Sequence, residues 1–93
     1  MINRVITAPN MTLKILPLGD SITDGFNIPG GYRIDLWNSF KVQNLSVDFV
    51  GSLSNGPNSL GDKDHEGHSG WRIDEIANSI NGWLNAQQPD TIY

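Results

Sequence analysis

The chain has 93 residues, of which six are lysine or arginine and ten are aspartate or glutamate, so its formal net charge is −4 at pH 7. This length allows at most one small domain with a modest core, and the chain has no cysteine to staple that core. The acidic balance argues against a nucleic-acid partner, because no basic stripe is present to neutralise phosphates, and no apolar stretch is long enough to span a membrane.

The first part of the chain leads into a sharp turn. Residues 1–12 mix polar and apolar types, which predicts an irregular lead-in, and they contain no apolar core like that of a secretory signal. Residues 13–18 predict a short buried strand, with Pro17 at its exit. The apolar run then stops at Gly19-Asp20-Ser21, which lets the chain turn and leaves a hydroxyl at the carboxyl end of the sheet.

The rest of the chain alternates between helix and strand patterns. Residues 32–42 place Ile34, Trp37 and Phe40 near one helical face, and residues 47–51 alternate as a second strand does. Residues 52–69 are rich in Ser, Asn, Gly, Pro and Asp, which predicts a long functional loop. A second helix is predicted over residues 72–88, where a proline stops it, and a third strand begins in residues 90–93.

This order of elements predicts an α/β architecture. Strand, helix, strand, helix, strand implies right-handed crossovers and a parallel sheet with helices on its faces. A flavodoxin-like, three-layer α/β/α arrangement with the first strand near the middle is the natural candidate. Trp37 and Trp83 lie on the apolar faces of the two helices, so both are predicted to be core residues.

Ser21 is the candidate nucleophile. A serine hydroxyl needs a neighbouring base to take its proton and usually a third group to orient that base. The alternative is that Ser21 only caps a helix or turn. Asp20 adjoins Ser21 and cannot act as that base, so it is expected to hold the turn by binding local N–H groups.

Two stretches resemble conserved blocks of the SGNH or GDSL hydrolases. The first block corresponds to Gly19-Asp20-Ser21-Ile22-Thr23-Asp24-Gly25. The second, within residues 62–73, resembles the form seen in carbohydrate esterase family 3, the acetyl xylan esterases, and reads His65-Glu66-Gly67-His68-Ser69-Gly70-Trp71. The resemblance runs from about residue 13 to residue 93. It implies an SGNH hydrolase fold that is incomplete here, with residues 1–93 as the amino-terminal part of a single domain.

The resemblance also implies a site. It makes Ser21 the acyl-enzyme nucleophile and gives the backbone N–H of Gly70, together with that of Ser21, to the developing oxyanion. Glycine allows close approach of backbone to substrate, and preorganised donors of this kind lower a barrier by several kcal/mol. The alternative for Gly70 is a simple turn before the second helix. A third-block asparagine and a carboxyl-terminal Asp-x-x-His pair are implied as well, and neither occurs at its place in these residues.

Two histidines stand among carboxylates in the second block. His65 and His68 with Asp62, Asp64 and Glu66 suggest a metal site, but the helical i, i+4 histidine pair of zinc enzymes is missing, so no metal or other cofactor is expected. We expect the histidines to shape the pocket or hold the loop, although one of them could be the base. Asp62 and His65 have the spacing of Asp-x-x-His in the wrong place, which we interpret as coincidence.

Arg33 and Trp71 have two interpretations each. Arg33 could pair with a carboxylate such as Asp24 or Asp35, or contact substrate. Trp71 could stack on a sugar ring, or pack at the start of the helix.

Two functions follow from these residues. The first is a secreted serine esterase that removes acetyl groups from a polysaccharide such as xylan, with the remainder of the domain supplied as a continuation or a second chain. The 93-residue chain alone is then expected to be inactive. The second is a non-catalytic carbohydrate-binding or assembly module that keeps the fold and uses Trp71 and the polar loop to contact sugar.

Overall fold

The computed structural model describes residues 12–93, so the predicted lead-in lies outside the described residues except for Thr12. Its strands are β1 Leu13–Leu16, β2 Leu18–Gly19, β3 Val47–Phe49, β4 Leu53–Ser54, β5 Asp64–Gly67 and β6 Thr91–Ile92. Its helices are α1 Ser21–Asp24, α2 Arg33–Val42 and α3 Ile73–Gln87. Among the described residues, no helix is both long enough and apolar enough to cross a bilayer.

The main sheet is parallel and has β1 at its centre. Its order is β3-β1-β6, with Ile15 of β1 opposite Phe49 on one side and Thr91 on the other. This confirms the predicted α/β fold with a parallel sheet and the first strand in the middle. With right-handed crossovers, the order places α2 and α3 on opposite faces of the sheet.

Pro17 divides the first predicted strand into two. Val50 donates its N–H to the carbonyl of Ile15 at 2.9 Å, whereas the N–H of Glu66 reaches the carbonyl of Pro17 at 2.8 Å. Because proline has no N–H to continue the ladder, the neighbour on this side changes from β3 to β5. The single strand predicted for residues 13–18 is therefore two short strands, and β2 pairs in parallel with β5.

The prediction that residues 52–69 form a loop is wrong in part. Leu53–Ser54 and Asp64–Gly67 form an antiparallel pair, β4 with β5, inside this region. The buried side chains of β5 include those of His65 and Glu66, so the strand carries no apolar pattern by which it could be recognised. Polar side chains are buried there because other polar groups satisfy most of their hydrogen bonds.

The core lies between the sheet and α2. Ile15, Phe49 and Leu60 form it, and residues of α2 pack against it, among them Trp37, whose ring meets that of Phe49 edge-on at 5.3 Å. The predicted helices are confirmed, and so is the core role of Trp37. The prediction for Trp83 is wrong: no residue of α3 is fully buried, and the indole of Trp83 stacks on His68 instead.

Candidate functional site

The turn after β2 presents Ser21 at the start of α1. Asp20 is the N-cap of this helix, and its Oδ1 accepts the N–H of Ile22 at 3.1 Å, which confirms that Asp20 holds the turn. Ser21 is therefore not the cap, and its hydroxyl makes no hydrogen bond within residues 12–93. The helix ends at Gly25 with φ +80, where an added Cβ would lie 2.6 Å from the carbonyl oxygen of Ile28, so the position requires glycine.

A second turn, after β5, presents Gly70. The N–H of His68 extends the strand ladder by donating to the carbonyl of Gly19 at 2.8 Å, and the N–H of Trp71 closes the turn onto the carbonyl of His68 at 3.1 Å. Gly70 has φ +83, which the third position of such a turn needs. Apart from its two chain neighbours, no other residue in the range 12–93 has an atom within 4 Å of the place that a Cβ would take. In the described part of the chain, the Gly70 N–H donates to no backbone carbonyl.

The two turns lie at the same edge of the structure. Gly19 at the end of β2 and Gly67 at the end of β5 are partners in a parallel pair. Parallel strands end on the same side of a sheet, and Ser21 and Gly70 each follow shortly after one of these ends. The fold thus brings the two predicted site residues together, and their catalytic roles stay predictions.

Asp24 connects the two turns. Its Oδ2 accepts the hydroxyl of Ser69 at 2.5 Å, and its Oδ1 accepts the side-chain amide of Asn55 at 2.8 Å. The hydrogen bond from Ser69 lowers the pKa of Asp24 below its usual range, against the opposing effect of burial. A Cβ on Gly67 would lie 2.4 Å from the backbone nitrogen of Asp24, so α1 packs directly on the end of β5.

Arg33 is fully buried and binds main-chain oxygens. Its Nε donates to the carbonyl of Thr23 at 2.9 Å, and the terminal nitrogens reach the carbonyls of Asp24, Asn55 and Lys63 at 3.1 to 3.2 Å. A further bond joins Arg33 to Oδ1 of Asn55 at 2.6 Å. The prediction that Arg33 pairs with a carboxylate is wrong, because carbonyl and amide oxygens take these donors. Arg33 thus fastens α1 to the end of β4, which Asn55 follows, and to the start of β5, which Lys63 precedes.

His65 is buried as a neutral ring beside Asp24. Its Nδ1 accepts the N–H of Gly67 at 2.9 Å, so Nε2 carries the proton, and Nε2 stands 3.7 Å from Oδ1 of Asp24 without a hydrogen-bond partner among the described residues. Burial lowers the pKa of His65 to about 4. Asp62 accepts instead from the N–H groups of Phe49 and Asp64. The Asp-x-x-His spacing is therefore a coincidence, as interpreted.

Glu66 is a buried carboxylate, which the sequence indicated only as a possible metal ligand. It accepts the N–H of Ser52 at 2.9 Å, the hydroxyl of Ser52 at 2.6 Å and Nε2 of His68 at 2.6 Å. The ring of His68 lies 4.7 Å from that of Trp83 and 4.2 Å from that of Trp71. These contacts hold His68 between the end of β5 and α3, and its role in shaping the pocket stays a prediction. The sequence signal that could have indicated that Glu66 holds His68 is its position between two histidines of the second block.

Ser21 also borders an open cavity of about 410 Å³. Ile22, Phe26 and Tyr32 are among the residues that line it, and Ile22 and Phe26 are each 72% exposed. A cavity of this size is within the range of small-molecule sites. Elsewhere, within residues 12–93, no three His, Asp or Glu side chains are grouped to hold a metal ion.

Comparisons with known proteins identify similar chains. No family model matches the sequence. A multidomain esterase of Ruminococcus flavefaciens is 41% identical in an alignment of 85 residues that covers 80% of this chain and 11% of that protein. A family 3 carbohydrate esterase of Clostridium thermocellum superposes with a TM-score of 0.85 at 52% identity over 88% of this chain and 42% of that one.

A second solved structure is an acetyl esterase, a serine-to-alanine variant with an acetate ion. It superposes with a TM-score of 0.73 at 38% identity over 86% of this chain and 41% of that chain. The chain therefore spans less than half the length of each solved relative and about a ninth of the curated one. These likenesses confirm the resemblance to family 3 carbohydrate esterases that the two blocks indicate.

Proposed function

We propose that this chain, whose sequence and fold match part of a family 3 carbohydrate esterase, is the amino-terminal part of a single SGNH hydrolase domain. The complete domain is a serine esterase that removes acetyl groups from xylan or a related polysaccharide through an acyl-enzyme on Ser21. One observation carries the proposal. Ser21, whose hydroxyl makes no hydrogen bond within residues 12–93, follows the end of β2, and the exposed turn at Gly70 follows the end of β5, its parallel partner.

The chemistry begins at the hydroxyl of Ser21. Its oxygen attacks the acetyl carbonyl carbon while its proton passes to a histidine from the remainder of the domain, held by that histidine's aspartate partner. The N–H groups of Ser21 and Gly70, with an asparagine from the remainder, donate to the oxyanion that forms. Collapse breaks the bond to the sugar oxygen, which takes the proton from that histidine and leaves as a hydroxyl, so that acetyl-Ser21 remains. Water then gives a proton to the same histidine and attacks the ester carbonyl, acetate leaves, and the proton returns to the oxygen of Ser21.

Because the catalytic groups are divided between two parts of the domain, the 93-residue chain is inactive by itself. It supplies the nucleophile and two oxyanion donors, whereas the base, its orienting carboxylate and the third donor come from a continuation or a second chain. His68 is not assigned as the base, because its Nε2 is bound to Glu66 and no hydrogen bond within residues 12–93 joins its ring to Ser21.

The acetyl and carbohydrate parts of the proposal rest on the relatives and on the cavity. One solved relative is named an acetyl esterase and another a carbohydrate esterase. The cavity beside Ser21 has room for a sugar ring, and its exposed apolar wall suits the C–H face of such a ring. Because a polysaccharide is too large to enter a cell, we propose that the enzyme is secreted.

A non-catalytic sugar-binding module is the second candidate. Trp71 is 36% exposed and its ring lies beside those of His68 and Trp83, with the two indoles 6.0 Å apart. An exposed aromatic cluster of this kind can stack on sugar without hydrolysis. This candidate predicts that the 93-residue chain alone binds xylan oligosaccharides.

The test separates the two functions in the full-length protein. Wild type, Ser21→Ala and a matched control, Ser59→Ala, are assayed for release of acetate from acetylated xylan and for labelling by a fluorophosphonate. Ser59 is an exposed serine without hydrogen bonds in the described part of the chain. We expect Ser21→Ala alone to lose both turnover and labelling. Turnover that survives in Ser21→Ala, or glycan binding without acetate release in the wild type, contradicts the esterase.

A further inference from the structure

We propose that Asp24 is a positioning residue that sets the direction of the Gly70 N–H through its hydrogen bond with Ser69. This inference rests on the proposed function, since it concerns the oxyanion donors of that reaction. It assigns a role in catalysis to a carboxylate that lies one helical turn from the nucleophile and does not touch substrate.

The Ser69 end of the bond controls the oxyanion donor directly. The N–H of Gly70 belongs to the peptide group that links Ser69 to Gly70, so rotation of Ser69 about its backbone re-aims that N–H. Gly70 is exposed, and among the described residues other than its two chain neighbours none lies within 4 Å of its Cβ position. Among the described residues, the hydrogen bond from Ser69 to Asp24, at 2.5 Å, is the one side-chain hydrogen bond that joins α1 to this turn. We call this bond the tether.

The Asp24 end of the bond is fixed to the nucleophile's helix. Ser21 and Asp24 are the first and last residues of α1, and the N–H of Asp24 binds the carbonyl of Asp20 at 3.1 Å. Arg33 holds the carbonyls of Thr23 and Asp24 from below. The tether thus fixes the position of Gly70 relative to α1, the short helix that also presents the nucleophile.

Charge keeps the tether in place. The carboxylate of Asp24 is faced by the side-chain amide of Asn55, by Nε2–H of His65 at 3.7 Å and by the positive charge of Arg33. Each of these favours an ionised carboxylate, which accepts the hydroxyl proton of Ser69 in a charge-assisted bond. Misplacing a catalytic group by about 1 Å costs roughly 100-fold in rate, so the loss of such a bond is measurable.

The experiment compares Ser69→Ala and Asp24→Asn with the matched controls Ser59→Ala and Asp35→Asn in the full-length protein. Steady-state kinetics on an aryl acetate give kcat and KM separately. Inhibition by phenylboronic acid, which forms a tetrahedral adduct on a nucleophilic serine, reports on the oxyanion donors. Ser69 is exposed, so its variant is expected to fold even if Asp24→Asn disturbs the buried charge of Arg33.

We expect Ser69→Ala to lower kcat by about 10- to 100-fold with KM changed by less than about threefold, and to weaken phenylboronate by a similar factor. The double variant should be no slower than the slower single variant, because both remove one bond. A Ser69→Ala enzyme with wild-type kcat and boronate affinity, or with an effect confined to KM, overturns the inference. If Ser21→Ala is inactive in the same series, the proposed function stands without it; if Ser21→Ala is active, both fall.

Discussion

The replacement Arg33→Lys tests how the site is held together. Lysine keeps the charge but offers three donors on one nitrogen, in place of a planar fork. Arg33 makes five hydrogen bonds, to Thr23 and Asp24 on one side and to Asn55 and Lys63 on the other. Five bonds against three donors leave two unmade. At about 1.5 kcal/mol for each bond from a charged donor, we expect a loss of about 3 kcal/mol in the free energy of unfolding.

The measurement is urea unfolding of the full-length protein, followed by near-UV circular dichroism. Arg72→Lys is the matched control, because Arg72 is an exposed arginine that pairs with Asp74 on the surface. We expect its unfolding midpoint to stay at the wild-type value. A loss at Arg33 of less than about 1 kcal/mol, or equal shifts in both variants, would refute the view that buried donors to carbonyls hold α1 in place.

Three further predictions concern single positions. Gly67→Ala should lower both stability and activity, because the added Cβ would lie 2.4 Å from the backbone nitrogen of Asp24. Gly82→Ala should instead raise stability by up to about 1 kcal/mol, because this helical position on α3 has open space for a Cβ. Thermal melts that rank the two variants in the opposite order contradict this prediction. Burial holds the pKa of His65 at about 4 in the folded state, against its ordinary value of 6.5. The unfolded state therefore binds more protons between these two pH values, and stability should fall as pH drops from 6.5 to 4. His65→Asn should flatten this part of the profile, and an unchanged slope would exclude His65 as its cause. Trp71→Ala should raise KM for xylan oligosaccharides and leave KM for an aryl acetate unchanged; equal effects on both would exclude a sugar contact.

Hydrophobic periodicity predicted most of the fold. β1 was predicted from a short apolar run, and α2 and α3 from apolar residues at helical spacing. The order of elements then predicted the parallel sheet with β1 near its middle. Strand β5 was not predicted, because His65 and Glu66 occupy its buried positions. A pattern that looks for apolar residues cannot detect a strand whose inner face is satisfied by hydrogen bonds.

The residues of the site were likewise predicted from the sequence only in part. Ser21 was predicted from the turn after the first strand and from the resemblance of its motif to a family block, and Gly70 from the second such resemblance. The roles of Asp24 and Arg33 depend on partners far along the chain, and several of those partners are main-chain oxygens, which every residue has. Such bonds leave no mark on composition or spacing. Trp83 was misassigned for a related reason: its helical face predicted packing, but the surface it packs on is an imidazole outside the core.

The way Arg33 binds Lys63 has a consequence for engineering. Only the carbonyl of Lys63 takes part, while its ammonium reaches out to Asn58 at 3.4 Å on the surface. A protein engineer could randomise the side chain at position 63, for example to recharge that surface or to attach a label, without disturbing the anchor beneath the nucleophile. Position 33 offers no such freedom, and libraries that vary it should be depleted of folded members.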